Sequence, residues 1–156
     1  MAASKQQLAQ FLATWEIESQ RTLRLLEALP PDQYDYRPDR TGRSLGELAW
    51  HLAEIENYMT WGIETRAFDY AMKPPAFERP RDVAGLAPAY RRVHEEATTR
   101  VRRLKPADLD RPVQFFGTQR TVGEILWHAV LHHGIHHRGQ LALLCRLAGG
   151  RVPALY

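Results

Sequence analysis

Apolar residues recur at helical spacing in four long stretches of this chain, separated by polar segments rich in proline. Leu8, Phe11, Leu12, Trp15, Leu26 and Leu29 predict a first helix over Ser4–Leu29, with a polar middle turn at Glu18, Ser19 and Gln20. Ser4 and Gln7 read as its capping box, and Pro30-Pro31 ends it because proline has no N–H to continue the ladder. A second capping box, Ser44 to Glu47, opens a helix carrying Leu45, Leu48, Leu52, Ile55 and Met59 on one stripe, which dissolves between Gly62 and Phe68. The three prolines of FDYAMKPPAFERPRD then mark a long loop, of the kind that is often functional or mobile.

Leu86, Tyr90, Val93, Ala97, Val101 and Leu104 predict the third helix, with Pro88 confined to its first turn and Lys105-Pro106 closing it. Its other face mixes both signs of charge (Arg91, Arg92, Glu95, Glu96, Arg100), as a solvated face does. Val113, Phe115 and Phe116 form an apolar cluster, read either as a short extended segment or as a plug over a cavity. A third capping box, Thr121 to Glu124, starts the last helix, which runs to about Ala148 before Gly149-Gly150. Four helical patterns without a convincing strand predict an all-α fold, an antiparallel four-helix bundle. SLGELAWH (residues 44–51) and TVGEILWH (residues 121–128) share a pattern, either a duplicated hairpin or two similar helix starts.

Composition narrows this picture only modestly. With 156 residues, 44% hydrophobic and 25% charged, the chain has the length and balance of a single globular domain over 1–156. Lys and Arg exceed Asp and Glu by 21 to 18, too small and too scattered an excess to imply nucleic acid. The single cysteine, Cys145, fits a reducing compartment, and neither a signal-peptide core nor a membrane-length apolar run is present, so a cytoplasmic location is expected. Self-association as a homodimer is expected from the aromatics Trp50 and Trp61.

Candidate chemistry concentrates in HAVLHHGIHHRGQ, residues 128–140, which holds five of the seven histidines. On an ideal helix of about 100° per residue, with Val122 at zero, Leu126, Val130, Leu141, Leu144 and Ala148 fall between roughly 40° and 100°. His133 falls near ~20° and His137 near ~60° on the same count, in the middle of the inward stripe, whereas His128, His132 and His136 lie near ~240°, ~280° and ~320°. Two buried imidazoles one turn apart are costly to desolvate without a partner and are spaced to share one metal ion. Cys145, near ~140°, lies outside the stripe and is a poor nucleophile, while Gln140, near ~0°, lies close to the pair.

A third ligand must come from another helix. His51 is the natural choice, three residues after Leu48 and four before Ile55, and His128 is the runner-up. His94 reads as an ordinary helix-face residue, and Glu54 and Glu56 as off-stripe neighbours of His51, either able to fix a histidine tautomer. His136 is expected at the margin, beside the site or on the surface. Three neutral imidazoles leave coordination positions open, as catalytic sites do, and suit zinc or nickel.

The histidine in SLGELAWHLAEIE, followed much later by HHGIHHRGQL, resembles the DinB/YfiT-like superfamily and its H-x-x-x-H-R-G-Q signature, here His133, His137, Arg138, Gly139 and Gln140. The resemblance also takes in LEALPPDQYDYRPDRTGRSLGEL and the DLDRPV stretch, and so covers nearly the whole chain. It implies a four-helix bundle holding a metal through His51, His133 and His137. Relatives of this kind include transferases that use low-molecular-weight thiols, alongside many proteins of no established reaction. The expected function is therefore a metal-dependent thiol transferase or hydrolase acting on a small molecule. The alternative is a non-catalytic, metal-stabilised helical interaction or stress-response protein. From the residues themselves, Arg138 is expected to pair with a carboxylate and Gly139 to admit a close helix approach.

Overall fold

The computed structural model describes residues 2–156, with side chains from Ser4 onward. Helix α1 spans Ala2–Glu27, α2 Leu45–Thr65 and α3 Leu86–Arg102. A short 3₁₀ turn, Pro106–Asp110, leads into an antiparallel hairpin, β1 Pro112–Phe115 and β2 Thr118–Thr121, with Val113 opposite Arg120. The last helix, α4, is continuous but built from three pieces: Val122–Glu124, a π-helical stretch Ile125–His132, and an α-helical stretch His133–Leu147. Among the described residues no helix is long and apolar enough to cross a membrane.

The capping boxes of α2 and α4 form as their sequences dictate. Ser44 accepts from the Glu47 amide and Thr121 from the Glu124 amide, while each glutamate reaches back to the cap backbone. The box expected at Ser4 does not cap anything, because α1 is already helical at Ala2 and Ser4 lies within its first turn. Pro88 occupies the first turn of α3, where its missing N–H costs nothing. The cluster Val113, Phe115 and Phe116 takes the extended alternative, with Phe116 and Gly117 both at positive φ in the hairpin turn and Val113 buried.

The four helices pack as a bundle, with α2 against both α3 and α4, and α1 against α3 and α4. Contacts run in opposite order along α2 and α4, where His51 meets His137 and Ile63 shares a cluster with Ile125, so this pair is antiparallel. Contacts rise together along α2 and α3, from Glu56 with Tyr90 to Glu64 with Arg103. The long segment 66–85 is therefore a crossover that returns the chain along the bundle before α3 begins. Leu25, Leu26, Leu45, Leu126 and Leu141 are almost fully enclosed, each burial contributing about 1.5–3 kcal/mol.

Polar residues enter the core in three networks, one of them joining Arg100 to Asn57 and Thr60. Arg138, 2% exposed, forms an ion pair with Glu18 and donates to the Glu18 carbonyl at 2.8 Å. This explains the polar middle turn of α1: Glu18 and Ser19 are buried, and only Gln20 of that turn faces solvent. The second network is centred on Glu56. Its Oε1 accepts from Trp15 Nε1 at 3.1 Å and Tyr90 OH at 2.7 Å, and its Oε2 meets His94 Nδ1 at 2.7 Å. Glu56 and His94 are thus core residues, not the off-stripe neighbour and ordinary face residue expected. Each lies beside its helix's apolar stripe, and α2 and α3 each pack against two neighbouring helices, which buries a wider arc than one stripe.

Candidate metal centre

His51 is presented six residues into α2 by the Ser44 cap, and His133 and His137 lie on successive turns of α4 just after its π-helical stretch. The three rings converge. Centroids are 4.7 Å apart for His51 and His137, 4.7 Å for His133 and His137, and 5.9 Å for His51 and His133. His133 Nε2 and His137 Nε2 stand 2.9 Å apart, and one nitrogen from each of the three rings lies within 4.8 Å of the others. Nitrogens at about 2.0–2.1 Å from one zinc ion are at most roughly 4 Å apart, so the cluster fits a single ion with little closing.

Neighbouring groups set which nitrogens face inward. Gln140 Oε1 accepts from His137 Nδ1 at 2.7 Å, which leaves the His137 Nε2 lone pair directed to the centre. Glu54 Oε2 takes the Nδ1 of His51 at 3.3 Å, freeing the other ring nitrogen in the same way. Burial pushes the His137 pKa down to about 4, against the hydrogen bond to Gln140 and with help from the charges of His51, His133 and His136. Burial also lowers His133, helped by His51 and opposed by the backbone of Ala129, with His136 and Arg43 adding to the depression. Both rings are therefore neutral near pH 7 and carry lone pairs, as ligation requires.

The cluster is half-buried at the cleft between α2 and α4, not in the middle of the apolar stripe as the ideal wheel predicts. The π-helical stretch is the reason. Its wider turns advance fewer degrees per residue, so every side chain after His132 lags the ideal count. Arg138 and Cys145, nominally at the stripe's far edge, rotate into the core, and Cys145 becomes fully buried. The same rotation brings His133 and His137 to the border, where a cavity of about 440 Å³ opens against His51 and His133. Trp50, Met59, Pro74, Pro75 and Phe77 supply its apolar walls, so the crossover segment forms one side.

The remaining histidines stand apart from this centre. His128 and His132 are exposed and pair with each other at 3.2 Å, so the runner-up His128 does not join the cluster although it matches His51 in the shared octapeptide. His136 is exposed, its ring 5.0 Å from that of His137. A Cβ on Gly139 would meet nothing within 4 Å, so the expected close helix approach there is absent. Close approach occurs instead at Gly46, where a Cβ would lie 2.3 Å from the Tyr34 ring. Trp50 is buried and Trp61 half-buried under Arg100, and neither forms the open aromatic face on which the expectation of self-association rests.

The sequence model of the DinB family matches residues 1–156. The chain belongs to the DinB family. The protein YrdA of Bacillus subtilis (strain 168) is 32% identical over 97% of this chain and 89% of its own. Among solved structures, a DinB-like protein from Bacillus cereus ATCC 10987 superposes with a TM-score of 0.77 at 25% identity, covering 94% of this chain and 95% of that one. The DinB-like protein YjoA of Bacillus subtilis gives 0.74 at 26% identity, covering 94% and 96%. Family membership accounts for the bundle and its long crossover, and leaves the chemistry to be argued from the cluster and its cavity.

Proposed function

We propose that this protein is a metal-dependent enzyme in which His51, His133 and His137 hold a divalent cation, zinc or nickel, beside a small-molecule cavity. The observation that carries the reading is the convergence of three histidine nitrogens within 4.8 Å, with His51 and His133 lining a cavity of about 440 Å³. Neutral imidazoles without a thiolate or a fourth protein ligand are the donor set of an open catalytic site rather than a closed structural one. When bound, the metal supplies a Lewis-acid centre that lowers the pKa of a coordinated water or thiol. The chain's own share is to orient and to exclude water: Gln140 and Glu54 hold ring tautomers, and the apolar walls keep the reacting end of a ligand dry. The reaction class is transfer of a low-molecular-weight thiol to a small electrophile, or hydrolysis of a small substrate.

Metal analysis of protein purified without a histidine tag tests the site. The wild type is expected to carry near-stoichiometric zinc or nickel, and His133→Ala and His137→Ala to lose most of it. Wild-type metal content in both variants would remove the site. Turnover of thiol and electrophile pairs, measured before and after chelation, tests the enzyme. A large fall in Tm on chelation, with no turnover in either state, would instead favour a metal-stabilised, non-catalytic protein.

A further inference from the structure

The cavity beside the histidines is walled mainly by apolar side chains, and most of its polar groups are already engaged. Asn57 Nδ2 donates to the Pro75 carbonyl at 2.9 Å, and its Oδ1 accepts from Arg100 at 2.9 Å. Tyr58 OH donates to the Asp69 carbonyl at 2.6 Å, and Glu54 is taken by His51. Arg43 is the exception. It lines the cavity immediately before the Ser44 cap, it is exposed, and among the described residues no carboxylate pairs with it.

A cation at the rim of an apolar cavity has a definite chemical complement. The guanidinium fork matches a planar carboxylate with two parallel hydrogen bonds, and partial desolvation by the ligand's own body strengthens them. Among the described residues Arg43 is the only Lys or Arg in the lining, which suits one negative charge better than a phosphate dianion that needs several donors. Trp50, Phe77 and Met59 suit an aromatic or aliphatic body. We propose that Arg43 is the anion-recognition residue of this cavity, and that its ligand is a small monocarboxylate with an apolar body. The orientation, with carboxylate at Arg43 and reacting end at the histidines, rests on the metal-site reading above; the pairing of Arg43 with a carboxylate does not.

Two probes of nearly equal shape separate these ideas: 3-phenylpropionate and its neutral amide, titrated calorimetrically into chelated and into zinc-loaded protein. Wild-type protein is expected to favour the carboxylate by about tenfold in both states, the scale of one charge-assisted hydrogen bond at a half-open site. Arg43→Gln is expected to erase that preference while leaving amide affinity and Tm unchanged, and Arg43→Lys to keep part of it. Equal affinity for the two probes in wild-type protein, no binding of either, or a preference that survives Arg43→Gln would overturn the proposal. A preference seen only with zinc and surviving Arg43→Gln would assign the carboxylate to the metal, sinking the Arg43 role while upholding the metal site. Failure to load either zinc or nickel would sink the metal site, and the chelated protein would still decide the role of Arg43.

Discussion

His133 and His137 sit one turn apart in a half-dry cleft, and dehydration, not a charged partner, governs their protonation. His137 has its pKa pushed down to about 4, chiefly by burial, below the ordinary histidine value of about 6.5. Between those values the unfolded chain binds more protons than the folded one, so the stability of metal-free protein falls as pH drops from 6.5 towards 4. His94 acts oppositely. Burial pulls its pKa down, but the charge and hydrogen bond of Glu56, with those of Glu16, outweigh it and raise the pKa. Its contribution is full below about 6.5 and is lost as pH rises through the higher folded value. Thermal melts of chelated protein should therefore show His133→Ala/His137→Ala losing less Tm than wild type over the descent from pH ~6.5 to ~4.5. Parallel curves would show that the pair does not titrate as described.

At the scale of elements, the helices were largely legible because caps, periodicity and proline are local signals. Ser44 with Glu47 and Thr121 with Glu124 cap as read, and Pro88 and Pro106 mark the ends of α3. The phase of α4 was not legible. Ile125–His132 is ordinary helix-forming sequence, and its widened turns show only in the backbone; hence Cys145 was read as peripheral and the histidines as central. Gly46 is a comparable case, since its need for space depends on Tyr34, which the loop brings against the start of α2. The two segments are bonded there by Gly46 N–H to the Tyr34 carbonyl at 2.9 Å. Gly46→Ala should destabilise the fold by about 1–3 kcal/mol, the usual cost of overpacking, as measured by urea unfolding. An unchanged midpoint would mean that Tyr34 can swing aside freely.

On the scale of the whole molecule, the bundle is tied across its core by charge as well as by apolar packing. Arg138 reaches from α4 to Glu18 on α1 and also donates to Tyr156 OH at 2.7 Å, so it links two helices and the C-terminal tail. Glu18 also pairs with Arg21, so removing Arg138 leaves it a partner, whereas removing Glu18 strands the Arg138 charge in a dry interior. Glu18→Ala is expected to cost about 3–5 kcal/mol, and replacing both Arg138 and Glu18 by methionine to recover much of it. A loss below about 1 kcal/mol in the alanine variant would show that water reaches Arg138. The expected pairing of Arg138 with a carboxylate was sound chemistry, because an arginine carried into a bundle interior has few other ways to be satisfied. Its partner, 120 residues away in sequence, could not be named in advance.

By itself the sequence determined the number of helices, the capped starts of α2 and α4, the family, and the concentration of histidine on α4, because each is written in residue type and short-range spacing. The sequence also nominated His51, His133 and His137 through spacing and family resemblance, but only the tertiary structure decided between His51 and the runner-up His128. It set His51 against His133 and His137 and left His128 outside, although both histidines close octapeptides of one pattern. It also put His94 and Glu56 in the core and Arg43 at the rim of the cavity. The physical reason is that convergence depends on helix phase and on which helix packs beside which, and both are settled by contacts between residues far apart in the chain.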